Sequence, residues 1–217
     1  MKKILLAMLT IVMAFSFVSC GSSKPKEEAK ETSEKVVVNK EKKEVIVPAE
    51  VNGKYFTEGT RHGVVFKNGS NGEKAVLRGL ADEKEFHEAL LSIGAKPGNN
   101  LTMKNMKAKA GEGVSIDGQK LNVFVKLEGS DKEIPFDEVI TATEKKPMDI
   151  RFGGNLERAK EYNTGCILCL DSCAVGITSN AAYPTGSVEN KQVKFTGNDK
   201  VLPADGTKIS VIFRIAE

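Results

Sequence analysis

The sequence predicts an α+β fold that is mostly antiparallel β, sandwich-like or barrel-like, with one clear helix near residues 82–94. Short runs rich in β-branched and aromatic residues recur along the chain, and Gly, Asn and Asp turns separate them. One segment instead has the periodicity of an amphipathic helix. The part after the N-terminal region, roughly 170 residues, is long enough for one domain with a sizeable core.

Six segments have the composition of strands. They are EVIVPAEV at 44–51, GVVFK at 63–67, KAVLRG at 74–79, LNVFVKL at 121–127, KQVKFTG at 191–197 and KISVIFRI at 208–215. Turn-forming segments such as KNGSNGEK and DGQK lie between or before them. The pattern is typical of a mostly β domain and does not decide between a sandwich and a barrel.

The helix is predicted from the segment DEKEFHEALLSIGAKPG. Asp82, followed three residues later by Glu85, forms a capping-box pattern at its start. Apolar residues at helical spacing make one face, and Gly94 followed by Pro97 indicates its end. Neither of the two histidines of the chain, His62 and His87, stands in a pattern that indicates a ligand or a catalytic base.

The N-terminus has the layout of a bacterial lipoprotein signal. Two lysines precede an apolar run from Ile4 to Val18, and the segment FVSCGSS follows. We expect residues 1–19 to be a signal peptide and Cys20 to be the lipidated first residue of the mature protein. Two or more acyl chains, such as palmitate, anchor a protein stably because each buried methylene contributes roughly 0.8 kcal/mol. The lipid bilayer is then a partner through acylated Cys20, and the protein faces the extracytoplasmic side of the cell membrane.

Residues 20–44 are rich in Lys, Glu and Ser and contain no aromatic residue. A segment of this kind buries too little apolar surface to offset the entropy of ordering, so we expect a disordered, charged tether. Residues 45–217 then form the folded β-rich domain. The formal net charge of +3 and the absence of a basic stripe interleaved with aromatic residues argue against nucleic acid as a partner.

The segment NTGCILCLDSCAVGI contains three of the four cysteines of the chain. Cys166, Cys169 and Cys173 are spaced i, i+3, i+7, which places them within a sector of about 60° if the segment is helical. The spacing therefore predicts a short helix here, or a tight loop, if the thiols converge on one centre. In a regular strand Cys166 would face the side opposite to Cys169 and Cys173.

Three chemistries fit these cysteines. Soft thiolates bind zinc or iron–sulfur clusters, and the fourth ligand would come from water, a substrate, Asp171, a histidine or another subunit. A C-x-x-C pair also suits thiol–disulfide exchange, with Asn163, Thr164 and Gly165 shaping the preceding turn and providing a helix start. The third possibility is a structural disulfide between two of the three, as expected in an oxidising compartment.

The chain resembles the YdjY-domain family of bacterial proteins. The resemblance runs through FKNGSNGEKAVLRGL, FHEALLSIGAKPGNNLT, DIRFGGN, NTGCILCLDSCAVGITSN and GNDKVLPADGT, in order along the folded part. Family members are similar to secreted or anchored proteins, and some are labelled predicted ferredoxins because of the cysteine run. The resemblance thus implies an iron–sulfur cluster, although Ala174 stands where relatives often have proline. No established activity comes with it.

The leading hypothesis is a membrane-anchored extracytoplasmic lipoprotein with a redox-active site at Cys166, Cys169 and Cys173. Its concrete form is electron transfer through an iron–sulfur cluster to or from a membrane redox partner. The alternative is a non-enzymatic binding or interaction lipoprotein in which the cysteines form a structural disulfide. Whether the protein is an enzyme stays open at this level.

Overall fold

A computed structural model describes residues 34–217. The predicted signal peptide at 1–19, the lipidation site Cys20 and most of the predicted tether lie outside the described residues. Within 34–217, no helix combines the length and the apolar character needed to cross a membrane.

The regular secondary structure of the described residues is mostly strand, with a few short helices. The strands are β1 Val37–Asn39, β2 Glu44–Val51, β3 His62–Phe66, β4 Ala75–Gly79, β5 Lys120–Leu127, β6 Glu133–Pro135, β7 Ile140–Ala142, β8 Ile150–Phe152, β9 Cys166–Cys169, β10 Thr178–Asn180, β11 Phe195–Gly197 and β12 Lys208–Ile215. The α-helices are α1 Glu83–Ser92, α2 Phe136–Val139 and α3 Leu156–Tyr162. Three turns of 3-10 helix span Gly53–Phe56, Gly72–Lys74 and Asn105–Lys107.

Eight of these strands form a closed, barrel-like sheet. Their order is β2-β12-β5-β8-β10-β9-β3-β4, and β4 pairs back with β2. The pairs β3–β4 and β9–β10 are parallel, and the remaining pairs around the ring are antiparallel. This confirms the predicted α+β class with a mostly antiparallel sheet, and the sheet curls on itself as a barrel does. A separate antiparallel pair joins β7 and β11.

Strand β2 uses one edge for two different neighbours. Near its end, Ala49, Glu50 and Val51 pair with β4 and close the ring. Near its start, the same strand pairs with β1, Val37–Asn39. These residues belong to the segment 20–44, which the sequence analysis assigns to a disordered tether. The β-branched VVV cluster supplies a strand that pairs with the free edge of β2, so the folded domain begins before residue 45.

The core lies on the inward face of the sheet. On β2, the alternating residues Val45, Val47, Ala49 and Val51 are fully buried, as expected for a strand with one face on a core. Helix α1 contributes to the same core through Phe86, whose ring centroid lies 4.6 Å from that of Phe213 on β12. Burying such side chains contributes roughly 1.5–3 kcal/mol each.

Helix α1 confirms the helix predicted near 82–94. Asp82 is its N-cap and accepts a hydrogen bond from the backbone N–H of Lys84 at 2.7 Å. This satisfies one of the free donors at the helix N-terminus. Gly94, with φ of 91°, then ends the helix in a left-handed conformation that favours glycine.

The short helix predicted at the cysteine segment is wrong. Cys166–Cys169 form strand β9, which lies between β3 and β10 and is buried along its whole length. Pairing on both edges and burial of Ile167 and Leu168 in the main core stabilise an extended backbone here. The cysteine spacing by itself carries no information about these neighbours.

Candidate metal centre

The pairing between β3 and β9 is irregular, and this irregularity brings two cysteines to one side. His62 pairs with Cys169, Val64 with Leu168 and Val65 with Cys166, with register shifts between these pairs. Ile167 on β9 has no partner in this pairing. An extra residue of this kind is a β-bulge, and the side chains that follow it point to the face opposite to the one expected from regular alternation. Cys166 and Cys169, which are three residues apart, therefore lie on the same side of the strand, whereas in a regular strand they would lie on opposite sides.

A loop after β9 brings the third cysteine, Cys173, back to the other two. The side chain of Asn155 holds this loop by donating to the carbonyls of Cys173, at 3.1 Å, and of Gly176, at 2.9 Å. The backbone N–H of Ile177 then donates to the carbonyl of Cys166 at 3.0 Å. The result is the cysteine cluster, in which Cys166, Cys169 and Cys173 pack with Val65 and Ala75. All three are free thiols and are buried.

His62 is the residue that sequence reasoning missed. Its Nδ1 lies 3.7 Å from Sγ of Cys166. One ligand atom each of His62, Cys166 and Cys169 lies within 4.8 Å of the others. The sequence carries no signal for this neighbour, because a histidine at the start of a strand becomes a ligand only through the strand beside it.

The thiols interact strongly with one another. Hydrogen bonding with Cys169, together with His62, lowers the pKa of Cys166 well below the usual range of a thiol. The contacts with Cys166 and Cys173, together with burial, raise the pKa of Cys169. Hydrogen bonding with Cys169 and the charge of Arg61 lower the pKa of Cys173 to about 7. Within the cluster, the pKa values of Cys166 and Cys173 are therefore lowered, and the pKa of Cys169 is raised.

A buried ion pair flanks the cluster. The carboxylate of Asp171 is fully buried and accepts hydrogen bonds from Arg61, from Nε at 3.1 Å and from Nη2 at 2.8 Å. The Arg61 side chain is 15% exposed and also contacts Glu189 at 3.4 Å. Burial raises the pKa of Asp171, and the adjacent guanidinium opposes this effect. Asp171 was one of the sources considered for a fourth ligand, and in the structure its carboxylate binds Arg61 rather than closing on the thiols.

Asn163, Thr164 and Gly165 connect α3 to β9. Asn163, with φ of 45°, ends α3. These three residues therefore follow a helix, whereas thiol–disulfide chemistry would favour a helix that begins at Cys166. Their backbone carbonyls accept hydrogen bonds from Ser70, Asn71 and Phe66, at 3.0, 3.2 and 2.7 Å respectively. This turn is thus held by the loop that follows β3, and the Asn71 amide also reaches Sγ of Cys166 at 3.9 Å.

Two buried hydroxyls, those of Thr164 and Ser179, lie in the surroundings of the thiols. The hydroxyl oxygen of Ser179 lacks a hydrogen-bond partner among the described residues. Thr164 lies beside Cys166 and helps to lower the pKa of that thiol. At Gly176, a Cβ would lie 2.9 Å from Sγ of Cys169 and 3.2 Å from Oγ of Ser179, so the glycine keeps this side of the cluster open. Buried donors facing sulfur suit thiolates that carry negative charge.

The donor set fits a single soft or borderline metal ion. Thiolate sulfur lies about 2.3 Å from zinc, so tetrahedral ligands are about 3.8 Å apart. The ligand atoms of His62, Cys166 and Cys169 lie within 4.8 Å of one another, which is close to this spacing. A four-iron cluster, in which each thiolate binds a different iron, needs wider spacing than these three groups have.

Fold and site together define a class: a β-barrel-like domain with three clustered, buried thiols, two of which lie beside a histidine imidazole. A family profile described as the YdjY domain matches residues 36–214, and the chain belongs to the YdjY-domain family. It is 49% identical over 174 residues to a protein of Escherichia coli (strain K12) described as uncharacterized protein YdjY. The match covers 80% of this chain and 75% of that protein. No solved structure matches the chain.

Proposed function

We propose that the protein is a membrane-anchored, extracytoplasmic lipoprotein that carries a redox-active metal centre. The ligands are Cys166, Cys169, Cys173 and His62. The observation that carries this proposal is the convergence of three buried thiols and an imidazole nitrogen from strands β3 and β9 and the following loop. Soft thiolates and imidazole select transition metals such as iron, zinc and copper.

A bound iron, alone or in a small iron–sulfur cluster, would supply one-electron transfer. The residues around the thiols act on the charge of the thiolates. Arg61 offsets the negative charge of the thiolates next to Cys173, and Asp171 holds the guanidinium in place. The hydroxyls of Thr164 and Ser179 are available to donate to sulfur. The buried position of the thiols excludes water, which strengthens these interactions.

The anchoring part of the proposal depends on the signal-like segment and on Cys20. An acylated Cys20 would hold the domain at a bilayer, where a membrane redox partner could exchange electrons with it. Labelling cells with a palmitate analogue tests this point. The wild-type chain should incorporate label and fractionate with membranes, whereas Cys20→Ser should do neither. Unlabelled, soluble wild-type protein would contradict the anchor.

The metal centre is tested on the full chain, purified in detergent without oxygen. We expect a bound metal in the wild type and its loss in Cys166→Ser, Cys169→Ser and Cys173→Ser, with unfolding still cooperative. Acid-labile sulfide matched to iron would identify an iron–sulfur cluster, and iron without sulfide would identify a single ion. Absence of every transition metal, in protein as isolated and after reconstitution, would overturn the proposal.

A second candidate is a binding or interaction lipoprotein with a structural disulfide. The observation that favours it is the contact of Cys169 with both Cys166 and Cys173, either of which oxidation could join to it. A thiol count after anaerobic isolation separates the two functions. One free thiol and no metal would support the disulfide, whereas three thiols released when the metal is removed support the metal centre.

A further inference from the structure

Met106 contacts the cysteine cluster from a loop that is distant in the sequence. It lies in the 3-10 helix Asn105–Lys107, is half-buried, and packs on the cluster. Its Sδ accepts a hydrogen bond from the backbone N–H of Ala174 at 3.2 Å. Because Ala174 directly follows Cys173, this bond holds the thioether next to the third cysteine.

The cluster therefore has two different ends. Cys169, in the middle, interacts with both other thiols, and both raise its pKa. His62 lies at the Cys166 end and offers a nitrogen ligand. Met106 lies at the Cys173 end and offers a neutral sulfur ligand. The His62 end suits borderline ions such as zinc, whereas an end made only of thiolate and thioether sulfur suits a softer ion.

We propose that the cysteine cluster binds monovalent copper at its Cys173 end, where the thioether of Met106 joins the thiolates of Cys169 and Cys173 as a ligand in place of Cys166 and His62. This inference rests on the proposed metal centre and names its metal. Binding forms copper–sulfur bonds, releases to solvent any proton that the two thiols still carry, and leaves the oxidation state of copper unchanged. Two thiolates and one monovalent cation leave one negative charge, and the positive charge of Arg61, which also pairs with Asp171, acts on Cys173.

Met106 packs on apolar side chains and also presents its sulfur beside the segment that carries Cys173. Its side chain is half-buried, so the thioether lies between the solvent and the buried thiols. The bond from Ala174 orients the sulfur and uses one of its two lone pairs. A second methionine of the same loop, Met103, is also half-buried and packs on Leu101, Ile116 and Ala174, as Met106 does, but of the two only Met106 also packs on the cysteine cluster. Met103 is therefore a matched control.

The test uses the full chain, reduced and kept without oxygen in detergent. Monovalent copper is titrated in competition with a chromophoric chelator, and divalent cobalt is titrated separately. We expect Met106→Leu to lower the copper affinity about tenfold or more, a loss of about 1.4 kcal/mol or more. Cobalt affinity should stay unchanged because a thioether is a weak ligand for a harder ion. X-ray absorption at the copper edge should show one sulfur ligand fewer.

The other outcomes are equally decisive. Unchanged copper affinity in Met106→Leu overturns the inference. So does a Met106→Leu variant that loses copper affinity and cobalt affinity equally, or a Met103→Leu variant that loses as much copper affinity as Met106→Leu. Each of these results indicates packing rather than ligation. A wild type that binds cobalt or iron but not copper overturns this inference and leaves the proposed metal centre intact. A wild type that binds no metal contradicts the proposed function itself.

Discussion

Nδ1 of His62 lies 3.7 Å from Sγ of Cys166, although 104 positions separate them in the sequence. The contact exists because β3 and β9 are neighbours in the barrel-like sheet and because their register shifts at this point. It places an imidazole nitrogen beside a group of three thiols.

Replacing His62 should weaken metal binding without unfolding the domain. We expect His62→Ala to lower cobalt affinity by about tenfold or more, which is about 1.4 kcal/mol. Cobalt bound to thiolate and imidazole absorbs in the visible range, so a titration followed by absorption measures the effect. His87→Gln is the control, because this second histidine packs against Phe152, with ring centroids 5.2 Å apart. Equal affinities for wild type and His62→Ala would exclude His62 as a ligand.

Arg61 should be important for stability because its partner is fully buried. Arg61→Met leaves the Asp171 carboxylate without its counter-ion, and loss of one partner of such a pair costs about 3–5 kcal/mol. Urea unfolding of the metal-free protein measures this loss. The double variant with Asp171→Leu should be more stable than the sum of the single losses predicts. Strict additivity would show that the two side chains do not act as a pair.

A methyl group at Gly176 should disturb the site from within. The Cβ of Gly176→Ala would lie 2.9 Å from Sγ of Cys169 and 3.0 Å from the carbonyl oxygen of Thr178. We expect a destabilisation of about 1–3 kcal/mol from overpacking, together with weaker metal binding. Thermal unfolding and the cobalt titration measure the two effects. Adding Cys169→Ala should recover part of the stability, and no recovery would place the strain elsewhere.

Stability should decline in mildly acidic solution because of His87. Burial lowers the pKa of His87, with Glu88 opposing the effect, so the unfolded chain binds a proton more readily than the folded one. The free energy of unfolding therefore rises with pH where His87 titrates, and falls as pH drops below the ordinary histidine pKa of about 6.5. Urea unfolding between pH 5 and pH 8 measures this slope. His87→Phe should reduce it, and an unchanged slope would assign the effect to other groups.

Local signals were sufficient for the larger elements of the fold. Strands β2 and β12 follow their alternating, β-branched segments closely, and α1 follows its cap and its terminal glycine. The short strands β8, β9 and β10 escaped prediction because three or four residues are too few to show a period. What makes them strands is pairing with distant neighbours.

The candidate site, like the fold, was predicted only in part from the sequence. The sequence by itself indicated that Cys166, Cys169 and Cys173 belong to one candidate site, because three cysteines in one short segment suit ligand or redox chemistry once the backbone brings them together. It also determined the mostly β class, through alternation and turn residues. Only the tertiary structure decided that the three thiols converge from a strand and a loop, that His62 and Met106 join them, and that Asp171 binds Arg61. These contacts depend on strand order, on a shift in register and on loop closure, which no local pattern encodes.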